Sequence, residues 1–133
     1  MNIVAIEGIG PAYAKKLTKA GIRTVEALLK KGASGKGRKE IAESTGIDPT
    51  LILEWTNRAD LFRIKGVGVQ YSDLLEKTGV DTVVELSKRV PGNLHAKMTE
   101  VNKAKNCVNA MPSVKQVEDW IVQAKKLPRV ITY

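Results

Sequence analysis

The chain has 133 residues and a hydrophobic composition of 43%, which suffices for one ordinary core or two small ones and excludes a large multidomain enzyme. Its net charge of +8 favours polyanions such as nucleic acid as partners. The single cysteine excludes an internal disulfide, and no apolar run approaches the length of a membrane span or signal peptide, so we expect a soluble cytoplasmic protein without a membrane partner.

Two segments of the chain repeat one another. Residues 6–28 align with residues 64–86 at an offset of 58 without a gap, and ten of the 23 paired residues are identical. Unrelated segments of average composition would share about one or two. The repeat therefore indicates a duplicated structure.

A second similarity shows how far each copy extends. The segment around Trp55 resembles the segment around Trp120 at an offset of 65, so seven residues have been added to the second copy. We place them within residues 102–113, ahead of the last helix. The predicted organisation is a first repeat, a second repeat and a C-terminal tail, at residues 1–61, 62–127 and 128–133.

Capping residues predict where helices begin and end. Pro11 suits the first position of a helix, and Gly21 suits a left-handed residue after its end. The segment from Thr82 to Glu85 has the pattern of a full capping box. Other helices are predicted to begin near Gly35 or Lys36, at Asp48 with Pro49, and at Ser113 with Gln116. No segment alternates like a strand, so these patterns predict an all-α protein of about nine short helices.

The segment IEGIGPAYAKKL, residues 6–17, places a Gly-apolar-Gly motif directly before a helix. Glycines let the backbone turn tightly and approach another surface closely. The N–H groups of such a turn and the helix dipole suit an anion, such as one phosphate of a nucleic-acid backbone. Lys15, Lys16 and Lys19 follow in the helix and would strengthen phosphate binding. A turn needed only for the fold and a solvated helix face explain the same residues, so both interpretations stay open.

This motif and its second copy resemble helix-hairpin-helix domains. The segment LILEWTNRADLFRIKGVG between the copies, and NLHAKM through VEDWIVQAKKLP near the end, look like the helix-hairpin-helix family called domain of unknown function 4332. This resemblance covers nearly the whole chain. It implies two tandem, SAM-like helix-hairpin-helix repeats packed into one compact unit, and it implies much less about activity.

The two copies differ in their suitability for phosphate. Asp73 and Leu74 replace Lys15 and Lys16 in the second copy, which favours the first copy electrostatically. Only five residues precede Ile6, however, so the second copy has the better-supported leading helix. The candidate nucleic-acid-binding residues are Gly8, Ile9, Gly10, Ala12, Lys15, Lys16 and Lys19 in the first copy, and Lys65, Gly66, Val67, Gly68 and Gln70 in the second.

The basic segment KKGASGKGRK, residues 30–39, differs from a nucleotide-binding P-loop. That motif has four residues between its first glycine and its Gly-Lys pair, whereas Gly32 and Gly35 enclose only two. We expect a flexible basic loop instead, in which Lys36 and Arg38 are further candidates for phosphate contacts.

Catalytic and metal-binding patterns are not found in the sequence. His95 and Cys107 are single residues of their type, with no pattern joining them to a third group. The aromatic residues on apolar stripes favour core packing over base stacking: Tyr13, Tyr71, Trp55 and Trp120. We therefore expect a non-catalytic module without metal or cofactor that binds nucleic acid, through the DNA backbone, with little sequence preference. The alternative is a helical scaffold that binds a protein partner.

Overall fold

The computed structural model describes the whole chain, Met1–Tyr133, and consists of helices. One turn of 3-10 helix, Ile3–Ala5, precedes eight α-helices: α1 (Pro11–Lys19), α2 (Val25–Lys31), α3 (Gly35–Thr45), α4 (Pro49–Leu61), α5 (Val69–Lys77), α6 (Val83–Ser87), α7 (Pro91–Lys105) and α8 (Val114–Lys126). Asn2 and Thr24 form an isolated bridge, and there is no strand. The prediction of an all-α protein is confirmed.

The helices form two compact units. The first unit comprises Met1–Asp60 together with Val130–Tyr133, and the second comprises Leu61–Arg129. The segment predicted as a tail therefore contributes its last four residues to the first unit. No helix in the structure combines the length and the apolar character that a membrane span requires.

Each unit has its own apolar core, built from aliphatic side chains and one tryptophan. In the first unit, Trp55 is buried and packs edge-on against Tyr13, with ring centroids 5.0 Å apart. In the second unit, Trp120 is buried and lies 5.3 Å from Tyr71. These contacts confirm that the aromatic stripes face the cores.

The repeated segments end their first helix in the same way. The N–H of Ile22 donates to the carbonyl of Leu17 over 2.9 Å, and the N–H of Val80 donates to the carbonyl of Leu75 over 2.9 Å. Both pairs are related by the offset of 58 found in the sequence, so corresponding residues have corresponding hydrogen bonds.

The seven added residues of the second unit lie at the end of α7 and after it. By the offset of 58, α7 ends two residues later than α3 does. Three residues, 46–48, connect α3 to α4, whereas eight residues, 106–113, connect α7 to α8. The two extra helical residues and the five extra connecting residues account for the change of offset, within the segment predicted to contain them.

Most of the predicted caps are present. Ser113 and Gln116 form a reciprocal capping box at the start of α8, and Asp48 Oδ1 accepts from the N–H of Thr50 over 2.8 Å at the start of α4. The box predicted at Thr82 is only half formed. Thr82 Oγ1 accepts from the N–H of Glu85, but the Glu85 carboxylate pairs with Arg89 over 3.2 Å instead.

The basic segment 30–39 is mostly helical. Its lysines belong to α2 or α3, and only residues 32–34 lie between the two helices. Ser34 Oγ accepts from the N–H of Gly37 over 3.0 Å and so caps the start of α3. The expected flexible loop is wrong for this reason, whereas the predicted helix start near Gly35 is confirmed.

The last residues of the chain bind the start of α3. The N–H of Thr132 donates to the carbonyl of Ala33 over 2.7 Å, and Ile131 is buried. The Arg38 guanidinium donates to the carbonyl of Thr132 over 2.7 Å and to the carbonyl of Gly32 over 2.8 Å. It also lies 5.5 Å from the ring centroid of Tyr133. Arg38 thus joins the two separated parts of the first unit.

Candidate nucleic-acid interface

The backbone turns at Gly8 ahead of α1 and at Gly66 ahead of α5. Both residues have a φ of +97°, which residues with a side chain rarely adopt. A Cβ on Gly8 would lie 3.2 Å from the indole Nε1 of Trp55, and a Cβ on Gly66 would lie 2.9 Å from Nε1 of Trp120. The fold therefore favours glycine over any other residue at both positions.

A side chain from the last helix of each unit holds the residue before this glycine. Arg58 Nη1 donates to the carbonyl of Glu7 over 3.1 Å. Gln123 Nε2 donates to the carbonyl of Lys65 over 3.1 Å, and its Oε1 accepts from the Lys65 N–H over 2.9 Å. Arg58 and Gln123 are separated by the same offset of 65 as the two tryptophans. Each turn is therefore fixed at corresponding points by α4 or by α8.

The second glycine of each motif is in a different situation. Gly10 and Gly68 have φ values of −83° and −102°, which any residue adopts. A Cβ on either residue would meet no atom within 4 Å. They are the N-cap residues of α1 and α5, and the fold does not require glycine at either position.

The N–H groups beside these two residues make no hydrogen bond within the protein, as is usual at a helix start. At α1 they belong to Gly10, Ala12 and Tyr13, which we call the first hairpin site. At α5 they belong to Gly68, Val69, Gln70 and Tyr71, which we call the second hairpin site. The second site has one more N–H group because Val69 stands where Pro11 stands in the first.

Three lysines lie on α1, the helix that begins at the first hairpin site. Lys15, Lys16 and Lys19 are all exposed, and Lys16 Nζ lies 6.0 Å from the ring centroid of Tyr13. The three residues that the sequence selects thus lie on one short helix, with their charges accessible to solvent.

The model of a family described as a domain of unknown function (DUF4332) matches residues 7–127. The chain belongs to the DUF4332 family. Comparison with curated proteins and with solved structures found no significant match. The DUF4332 match includes both hairpin sites and both tryptophans, and it ends before the four residues that return to the first unit.

The second hairpin site of this DUF4332 protein suits anions better than its sequence suggests. Asp73, expected to repel a phosphate, is only 8% exposed, and its Oδ2 accepts from Lys77 Nζ over 3.0 Å. Leu74 is buried in the core. Lys65 and Gln70 are exposed. The nearby positive charge of Lys77 offsets much of the expected repulsion.

The structure separates the remaining predicted residues into exposed and buried ones. Ile9 and Val67 direct their side chains into the cores, so they offer only backbone atoms. Lys36 is exposed on α3. Arg38 is 7% exposed and donates to the carbonyls described above, so its side chain is less available to a phosphate than that of Lys36.

Some residues beside the turns were not selected from the sequence. Arg58 and Gln123 hold the turns, and Lys115 and Asp119 lie next to Gly66 and Trp120. The second similarity, at an offset of 65, already pairs α4 with α8 and could have identified them. The sequence alone did not show that these helices lie against the glycine turns.

In the second unit, His95 contacts the backbone and Cys107 is half-buried. His95 Nε2 lies 2.8 Å from the carbonyl oxygen of Pro112, and Cys107 is half-buried in the connection after α7. No three His, Cys, Asp or Glu side chains lie close enough together to hold a metal ion.

In the first unit, the pKa of Glu26 is lowered, chiefly because its own backbone N–H stabilises the carboxylate, with help from the Met1 ammonium group.

Proposed function

We propose that this DUF4332 protein is a pair of tandem, SAM-like helix-hairpin-helix units that bind the nucleic-acid backbone without catalysis and with little sequence preference. In this proposal, each Gly-apolar-Gly turn presents unbonded N–H groups to one phosphate. Lysines add charge attraction. DNA duplex is the ligand to test first.

The observation that carries the proposal is the difference between the two glycines of each motif. Gly8 and Gly66 are explained by the fold, because their φ values and the adjacent indoles disfavour a side chain. Gly10 and Gly68 have ordinary φ values and open space around them. A ligand that approaches the backbone closely gives a reason for the missing side chain at these two positions.

The surrounding groups support an anion as that ligand. The positive end of each helix dipole and the unbonded N–H groups converge on the same point. Lys15, Lys16 and Lys19 supply positive charge near the first hairpin site. Backbone contacts of this kind position a protein on nucleic acid without reading bases, so binding should be sensitive to salt and on the order of micromolar or weaker at physiological salt.

Serine substitutions at the open glycines test the proposal. Serine is a good N-cap residue, so G10S and G68S should retain the free energy of unfolding or raise it slightly. The new side chain would occupy the space and bond the free N–H groups. We expect the double variant to bind a DNA duplex roughly tenfold more weakly, measured by fluorescence anisotropy at low salt.

The matched control is a serine substitution at another glycine that has open space around it. Gly92 lies in the first turn of α7, and a Cβ there would also meet no atom within 4 Å. G92S should leave the DNA affinity unchanged. Wild-type affinity in the G10S/G68S double variant would show that the hairpin sites do not bind DNA.

Charge reversal on α1 tests the lysines separately. The K15E/K16E variant should weaken DNA binding by more than about tenfold and reduce the slope of log affinity against log salt by about 2. The control is K125E/K126E, which reverses two adjacent exposed lysines of α8 and changes the net charge equally. If both variants weaken binding equally, overall charge governs it and the proposed role of α1 is wrong.

A further inference from the structure

A groove lies between the glycine turn of the second unit and the start of α8. It has a volume of about 380 Å³, which is within the range of about 300–1,000 Å³ typical of small-ligand pockets. We call it the Trp120 groove. Its walls are formed by Lys65 and Gly66 on one side and by Ser113, Lys115, Gln116 and Trp120 on the other.

The buried tryptophan presents an unused hydrogen-bond donor to this groove. Only 2% of the surface of Trp120 is exposed, and no group of the protein accepts a hydrogen bond from its indole N–H, which borders the groove. The Nε1 atom lies on the side of Gly66 where a side chain would stand, 2.9 Å from the position of a Cβ. The indole N–H of a tryptophan whose ring is buried usually has a hydrogen-bond partner. An acceptor bound in the groove would be one.

The groove also lies at the positive end of a long helix. In the first turn of α8, the backbone N–H groups of Val114 and Lys115 make no hydrogen bond within the protein. Lys65 and Lys115 bring two positive charges to the walls. Asp119 brings one negative charge, and its Oδ2 accepts from Gln123 Nε2 over 2.9 Å. The charged side chains therefore leave the groove with a net positive charge.

The corresponding groove of the first unit has the opposite charge. It has a volume of about 230 Å³ and places Glu7 and Glu54 beside Gly8 and Trp55. Its Arg58 donates to the carbonyl of Glu7 and is largely buried. Two negative charges thus face one positive charge in a groove that keeps the same glycine and the same unpartnered indole.

The start of α4 is also less suited to an anion than the start of α8. Where α8 begins with Ser113, Val114 and Lys115, α4 begins with Asp48, Pro49 and Thr50. In the first unit, Asp48 adds a negative charge, Pro49 removes an N–H group and Thr50 removes a positive charge.

We infer that the Trp120 groove is a phosphate-group site, in which the indole N–H, the α8 N–H groups and the two lysines donate to phosphate oxygens. The first unit keeps the glycine and the tryptophan of this site but not its charge. The site lies on the α8 side of the turn, beside the second hairpin site. The inference rests on the proposed function only for the source of the phosphate, which is either a nucleic-acid backbone or a small phosphorylated compound.

The two tryptophans allow a test with an internal control. The ¹H–¹⁵N spectrum of the full chain contains one indole signal from Trp120 and one from Trp55. Inorganic phosphate should shift the Trp120 signal saturably and leave the Trp55 signal unchanged, whereas sodium chloride at equal ionic strength should shift neither. A short DNA duplex and AMP are titrated in the same way to identify the source.

Two variants locate the response. The K65E/K115T variant gives the groove the residues of the first unit, and it should weaken phosphate binding at least about tenfold. The K88E/K97T variant changes two exposed lysines of the second unit outside the groove by the same total charge, and it should bind phosphate as the wild type does. Dispersed backbone amide signals from the second unit in each variant verify that the unit carrying the substitutions remains folded.

The outcomes separate this inference from the proposed function. If phosphate or AMP shifts Trp120 but DNA does not bind at all, the groove serves a small phosphorylated compound and only the proposed function is wrong. If DNA shifts Trp120 and K65E/K115T weakens DNA binding, the phosphate comes from the backbone. If none of the three probes shifts Trp120 selectively, or if K65E/K115T responds as the wild type does, the inference is overturned even if DNA binds elsewhere.

Discussion

The glycines of each Gly-apolar-Gly motif have two separate roles. Gly8 and Gly66 turn the backbone at a positive φ beside an indole, and a side chain would be strained and crowded there. Gly10 and Gly68 could carry a side chain without either effect. Stability should therefore depend on the first glycine of each pair, and ligand binding on the second.

The same substitution at both glycines of one motif measures this difference. G66S should lower the free energy of unfolding by about 1–3 kcal/mol, because serine at a φ of +97° is strained and its Cβ approaches Trp120 Nε1. G68S should change that free energy by less than about 0.5 kcal/mol. Urea unfolding followed by circular dichroism compares the two variants. Equal losses would show that the turn conformation is not what selects glycine at position 66.

The sequence predicts the position of the motif but cannot divide it in this way. Gly8 and Gly10 look alike in the sequence, since both recur at an offset of 58. The torsion angles depend on the path of the chain, and the crowding at Gly8 comes from Trp55, far along the sequence. The buried state of Arg38 was unpredictable for the same reason, because its partner Thr132 is 94 residues away.

At the scale of helices, the two units differ chiefly where α3 and α7 end. Gly46 follows α3 with a φ of +73°, and Asn106 follows α7 with a φ of +50°. Asn102 then holds the longer connection, since its side chain donates to the carbonyl of Val108 and accepts from its N–H. The left-handed residue ends each helix, and an asparagine does so less favourably than a glycine.

Exchanging these two residues should change stability in opposite directions. N106G should raise the free energy of unfolding by about 0.5–1 kcal/mol, and G46N should lower it by a similar amount. Thermal and urea unfolding of both variants provide the measurement. Loss of stability in N106G would mean that the asparagine side chain makes a contribution beyond its backbone conformation.

Helix order and helix starts were well predicted because caps and apolar spacing are local. The seven added residues were placed correctly from the change of offset alone, since an insertion displaces everything that follows it. The division of those residues between α7 and the following connection was not predicted. The Asn102 contacts that hold the connection depend on its folded path, so the sequence pattern does not show them.

At the scale of the whole molecule, positive charge is distributed unequally between the units. The first unit has 10 Lys and Arg against 7 Asp and Glu, a net charge of +3, and the second has 12 against 7, a net charge of +5. Comparison of the two copies in the sequence favours the first copy for phosphate binding. The charges at the Trp120 groove, which only the fold brings together, favour the second.

Because residues 130–133 belong to the first unit, we expect them to contribute to the stability of that unit. Ile131 is buried, so I131A should lower the free energy of unfolding by about 2–4 kcal/mol. Amide hydrogen exchange should locate the loss mainly in the first unit, in α2 and α3, because Thr132 and Ile131 belong to that unit. A larger loss of protection in the second unit would contradict the assignment of these residues.

Because residues 130–133 belong to the first unit, they also determine the order in which the two units are completed during synthesis. Arg38 leaves the ribosome with its partner Gly32 close by, but Thr132 follows only after the whole second unit has been made. At about 5–20 residues per second, the 69 residues from Leu61 to Arg129 impose a delay of roughly 3–14 s. The part of the protein that is translated first is therefore completed last, and the second unit is the one that is able to fold as soon as it emerges.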